Sequence, residues 1–110
     1  MRKLSLDAEA RSQLQRAKEA TTGRSATTVY GGHEHTLRQT LMALTEGTVL
    51  AEHENPGEAT VQVLGGRVRL TSADTSWEGR TGDFLVVPPT RHGLEALEDS
   101  TLLLTVAKVL

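Results

Sequence analysis

Gly47-Thr48-Val49-Leu50-Ala51-Glu52-His53-Glu54-Asn55-Pro56-Gly57 and Gly82-Asp83-Phe84-Leu85-Val86-Val87-Pro88-Pro89-Thr90-Arg91-His92 are the two stretches whose reading decides the fold. In each, a glycine opens a short apolar run and a turn containing proline closes it. Runs of that length with such boundaries read as β-strands rather than helices. Residues two apart in an extended segment point to the same face, so His53 and Asn55 are predicted to share one. Pro88-Pro89 ends the preceding strand, and a new strand can begin at His92.

The same grammar extends outward from these stretches. Ser25 to Tyr30 is rich in β-branched residues and runs into Gly31-Gly32. Thr36 to Leu44 ends at Glu46-Gly47, and Thr48 to His53 at Asn55-Pro56-Gly57. Ala59 to Leu64 is closed by Gly65-Gly66, Arg67 to Thr71 by Ser72-Ala73-Asp74, and Ser76 to Glu78 by Gly79. Phe84 to Val87, Gly93 to Leu97 and Thr101 to Val109 complete the set. Many short strands at this spacing predict an all-β sandwich or barrel. Strands do not alternate with helices, which argues against a parallel βαβ sheet. Neither an internal repeat nor a low-complexity tract is present.

Only the first residues differ. Asp7 is a candidate N-cap, and Ala8 to Ala20 holds good helix formers without Gly or Pro. Leu6, Ala10, Leu14 and Ala17 give a weak apolar stripe. The expected organisation is a helical segment over residues 1–24 and a barrel over 25–110, with the helix a lid or brace over one sheet, or a dimer contact.

The composition limits the function classes. One domain is the natural reading of 110 residues. A net charge of −2 gives no global attraction to nucleic acid or to an anionic membrane. No apolar run approaches the length of a membrane span, and the basic start Met1-Arg2-Lys3 lacks the apolar stretch of a signal peptide. A cytoplasmic protein is therefore expected. Cysteine is absent, which removes disulfides, thiolate nucleophiles and cysteine metal sites.

Imidazole and carboxylate are then the strong transition-metal ligands left. The four histidines are His33, His35, His53 and His92. Spacing alone does not say whether His92 meets His53. Asn55 also suits the turn into Pro56-Gly57 by local backbone bonding. His33 and His35 flank Glu34 after a glycine pair and suit a polar surface turn, although His35 could also stand at the barrel mouth beside the main site. Arg38, Gln39, Gln62 and Arg67 are expected on the solvent side of the sheets. Trp77 is expected at an edge or interface. With Tyr30, Trp77 and Phe84 the only aromatics, no stacking surface for bases is expected.

Taken together, the two stretches resemble the cupin family. The first cupin motif runs Gly, five residues, His-X-His, three or four residues, Glu, six residues, Gly; Gly47, His53, Asn55, Glu58-Ala59 and Gly66 follow that spacing. The second runs Gly, five residues, Pro, then His; Gly82, Pro88 and His92 follow it, one residue short and without the glycine after the proline. The likeness covers roughly Gly31 to Lys108. It implies a double-stranded β-helix, a small jelly-roll barrel of two antiparallel sheets, here with a short N-terminal α-helix.

The resemblance also implies a metal site of three imidazoles and one carboxylate. Carried over residue by residue, His53 and His92 match the first and last histidines. Asn55 stands at the second, and Ala59 at the glutamate. Glu58 is one position out of phase and would turn inward only through a bulge near Pro56-Gly57. The expected site is thus His53, His92 and Asn55 for a metal, with His35 and Glu58 as further ligand-binding candidates. It would take one divalent transition metal (Fe, Mn, Ni, Zn or Cu) or a small molecule at the barrel centre. A metal-dependent dioxygenase or isomerase is the alternative, and a non-catalytic dimeric regulatory scaffold another. Cupins of this size usually dimerise, so a homodimer is expected; nucleic acid and membrane are not expected partners.

Overall fold

The computed structural model describes residues 1–54 and 57–108. One helix, α1 (Leu6–Glu19), precedes nine strands: β1 (Arg24–Tyr30), β2 (Leu37–Leu44), β3 (Val49–His53), β4 (Gly57–Gly65), β5 (Arg67–Ser72), β6 (Thr75–Arg80), β7 (Phe84–Val86), β8 (His92–Ala96) and β9 (Ser100–Lys108). The cap of α1 is Ser5 rather than Asp7. The Ser5 side chain accepts from the Ala8 amide at 3.1 Å, while Asp7 lies within the first turn, where its charge complements the helix dipole.

The strands form two sheets, ordered β1-β2-β9-β4-β7 and β3-β8-β5-β6. Every pairing is antiparallel. The crossovers bring β9 between β2 and β4, and β8 between β3 and β5. This is the double-sheet jelly roll expected from the short, evenly spaced strands.

The core lies between the sheets. Leu44, Ala59, Val61, Val63, Val68, Leu70, Val87, Leu94, Ala96 and Leu102 form one buried cluster, and Met42, Leu50, Leu85, Leu104 and Val106 pack against it. Strand alternation selects them: on β4, Ala59, Val61 and Val63 are buried whereas Glu58 and Gln62 are exposed. β2 is covered on both faces. Met42 and Leu44 look into the barrel, and the fully buried Leu41 and Ala43 alternate with them on the other side. On that side α1 packs over β1, β2 and β9, bringing in the buried Ala17 and Gln13. The Ser25 hydroxyl donates to the Gln13 side-chain oxygen, so a glutamine can be buried there without a lost hydrogen bond. The helix braces the outer face of the five-stranded sheet.

Three of the four strand polars lie outward as expected. Gln62 is exposed, Gln39 donates to the Thr105 hydroxyl, and Arg67 sits beside Glu78 and Glu98. Arg38 does not. It is paired with Val106, whose side chain packs on the core cluster, and directly opposed residues share a face. Arg38 therefore lies on the barrel side of β2, half-buried, two residues along from Thr40 and four from Met42.

Candidate functional site

His53 closes β3 and His92 opens β8, and the two are direct partners across the antiparallel pair. Their rings meet edge-on, with centroids 4.5 Å apart and planes at 63°. Both rings border a cavity of about 100 Å³, otherwise walled by Met42, Leu50, Val61, Leu70, Val87, Leu94, Leu102 and Leu104. His92 is buried; His53 lies at the exposed rim.

A register irregularity in β3 makes this possible. Leu50 pairs with Leu94, but His53 pairs with His92, so β3 carries one residue more than β8 between the two pairs. In a regular strand Leu50 and His53, three apart, would point to opposite faces. The extra residue reverses the alternation, and both line the same cavity. Gly93 leaves room for it: a Cβ there would stand 3.1 Å from the Leu50 carbonyl oxygen and 3.5 Å from the Glu52 nitrogen.

Each imidazole is held by its Nδ1. The His53 Nδ1 lies 3.2 Å from the Ala51 carbonyl oxygen, and the His92 Nδ1 lies 3.0 Å from that of Thr90. A carbonyl only accepts, so Nδ1 carries the proton in both rings and the lone pair of the neutral ring falls on Nε2. Metal-binding histidines commonly have this arrangement, with one nitrogen anchored to a carbonyl and the other free to coordinate.

The loop carrying Thr90 is itself fixed. The Ser72 hydroxyl donates to the Arg91 carbonyl at 2.9 Å and is also hydrogen-bonded to the Thr90 hydroxyl. The Arg91 guanidinium donates to the Glu52 carbonyl at 3.2 Å, tying this loop to the strand that carries His53. Met42, Ser72 and Arg91 carry no sequence signal for these roles. Nothing in the spacing says which face of β2 Met42 occupies, or that the end of β5 meets residues 90–91.

The other candidates stand elsewhere. Glu58 is exposed on β4, paired with Ala107 in a register that runs unbroken from Gly57 to Val63. No bulge turns its carboxylate inward, so the version of the enzyme reading that recruits Glu58 to the histidine pair loses its geometry. Ala59, at the glutamate position of the motif, is buried in the core. His35 is exposed and packs edge-on against Tyr30, ring centroids 5.4 Å apart, rather than lining the cavity; His33 is exposed as well. Asn55 lies outside the described residues. Among the described residues, no group of three or more His, Asp or Glu side chains is placed to hold a metal.

No protein-family model and no curated protein matches the sequence. Solved structures do. A conserved protein of unknown function from Streptococcus pyogenes, SPY1581, superposes with a TM-score of 0.76 at 24% identity, over 99% of this chain and 89% of that one. An RmlC-like cupin from Desulfovibrio desulfuricans gives a TM-score of 0.66 at 25% identity, over 76% of this chain and 81% of its own. The fold is that of a cupin. A salicylate 1,2-dioxygenase from Pseudoaminobacter salicylatoxidans contains the same barrel, with a TM-score of 0.75 at 23% identity, over 92% of this chain but 33% of the enzyme.

Tested against the cupin ligand set, the described residues fit in part. His53 and His92 meet at the expected place with no hydrogen bond at Nε2 among the described residues, which suits an imidazole-preferring metal. The carboxylate position is filled by the methyl group of Ala59, which does not suit a hard cation. One part of the cupin barrel thus keeps its donors while another has become core.

Proposed function

We propose that this cupin barrel is a binding module that takes one metal ion, or a ligand of a few atoms, at the Nε2 atoms of His53 and His92. The observation that carries the reading is the paired anchoring of the two rings. Both Nδ1–H groups are engaged by carbonyls two residues back, and both rings border one apolar cavity. Two lone pairs so oriented favour a Lewis acid or a small hydrogen-bond donor. The cavity volume, about 100 Å³, is below the roughly 300–1,000 Å³ of pockets that enclose drug-sized ligands.

The test is equilibrium dialysis of chelator-treated protein against Mn, Fe(II), Co, Ni, Cu and Zn ions, followed by metal analysis. The expected result is one ion per chain with at least one of these metals, lost in both His53→Ala and His92→Phe. Retention unaffected by either substitution would overturn the assignment of the site. No retention of any metal would overturn the metal form of the reading.

The homodimer belongs to the same proposal. Among the described residues β7 is an edge strand paired with β4 alone, and its Phe84 and Val86 side chains are 61% and 60% exposed. A second barrel covering them would add to the modest core of a chain this short.

A further inference from the structure

The chemistry of the cavity wall names the metal more closely, on the reading just given. Among the described residues, three side chains with lone pairs suited to a metal border the cavity: the imidazoles of His53 and His92 and the thioether of Met42. The remaining described lining residues are Val and Leu, with no carboxylate among them. We infer that the site is selective for copper in its monovalent state, held by His53, His92 and Met42.

Three arguments converge on this choice. Thioether sulfur is a soft donor that favours Cu(I), and imidazole serves copper well; hard cations want carboxylate or carbonyl oxygen instead. All three donors are uncharged, so the full ionic charge stays in an apolar wall. The cost of placing charge in such surroundings rises with its square, so a divalent ion meets about four times the penalty of a monovalent one. Where the cupin motif would put a neutralising carboxylate, Ala59 is buried at 8% exposure within the core, and Glu58 faces solvent. The strand geometry also fits. Met42 reaches the cavity from β2 of the five-stranded sheet, while both imidazoles come from the β3–β8 pair of the other. The donors thus approach from opposite walls of the sandwich.

The experiment is an anaerobic competition between the full chain and a chromophoric Cu(I) chelator, with ascorbate to keep copper reduced, alongside a parallel Zn(II) titration. The expected result is one Cu(I) per chain, no comparable retention of Zn(II), and at least a tenfold or so weaker Cu(I) affinity in Met42→Leu. That substitution conserves volume, so the barrel should survive it, and its circular dichroism spectrum and melting temperature check that it does. A sulfur scatterer in the X-ray absorption spectrum of the copper-loaded protein, absent in Met42→Leu, is the second readout. If Zn(II), Ni(II) or Co(II) binds as tightly as Cu(I), with dependence on His53 and His92, the copper inference falls and the metal-module reading stands. Unchanged Cu(I) affinity in Met42→Leu overturns the role of the thioether. If no metal binds at all, both fall.

Discussion

Gly47 and Gly66, two glycines of the first cupin motif, give a controlled measurement of what the barrel's turns require. Both have φ of +86°. Their surroundings differ. A Cβ added at Gly47 meets nothing within 4 Å, whereas at Gly66 it would stand 2.2 Å from the Asp99 carbonyl oxygen and 2.8 Å from the Ser100 Cα. Backbone atoms cannot rotate away as a side-chain tip can. Alanine at Gly47 therefore incurs only the left-handed backbone cost of about 1–2 kcal/mol, offset by about 0.4–1 kcal/mol because the unfolded chain also loses freedom. Gly66→Ala incurs the same and must also displace the β9 entry, which adds about 1–3 kcal/mol on the scale of overpacked interiors. Unfolding entropy near 2.1 cal/mol/K per residue makes 1 kcal/mol worth about 4 °C for a chain of this length. The expected drop in melting temperature is about 2–4 °C for Gly47→Ala and about 6–16 °C for Gly66→Ala, by calorimetry at matched concentration and pH. Equal drops in the two variants would refute the argument that close packing, rather than backbone conformation, distinguishes these turns.

Other consequences follow from the core, the loop and the edge. Leu44 is fully buried in the central cluster, so Leu44→Ala should cost about 3–5 kcal/mol, read as a shifted urea midpoint with an unchanged slope. Ser72→Ala removes the hydroxyl that holds residues 90–91; it should cost about 1 kcal/mol of stability and, through the position of His92, weaken metal binding by about tenfold. Metal affinity equal to wild type in that variant would mean His92 is held without the loop. Light scattering at micromolar concentration should give a dimer, and Phe84→Ser with Val86→Thr should shift it to monomer.

The β-architecture was legible because strands such as β4 and β5 announce a buried face by alternation and most turns carry Gly, Pro or Asp; Gly79, expected to close the sixth strand, lies inside β6 instead. All nine predicted strands form, with ends that differ by at most two residues; the predicted end of the last, Val109, lies outside the described residues. The cap was misplaced by two residues because Ser5 and Asp7 are both good caps, and only the backbone angle at Ser5 selects between them. Arg38 was put on the wrong face because a polar residue was taken to mark the solvent side, whereas the register with β9 sets its direction.

At the site, the meeting of His53 and His92 came from family resemblance; nothing in a separation of 39 positions yields a cross-strand pair. The β3 irregularity was invisible, since a bulge depends on the partner strand as much as on its own residues. The out-of-phase Glu58 was legible from period-two alternation alone, and the strand keeps that alternation. Nothing in the sequence marks Met42 as a ligand, because a thioether fills space as well as it coordinates.

The most direct test of the central claim is a crystal structure of the metal-loaded protein, with anomalous scattering recorded at the absorption edge of the bound ion. The account predicts one anomalous peak in the barrel, within coordination distance of the Nε2 atoms of both His53 and His92. A peak at the exposed His33 or His35 instead, or none in the barrel while metal is retained in solution, would contradict it.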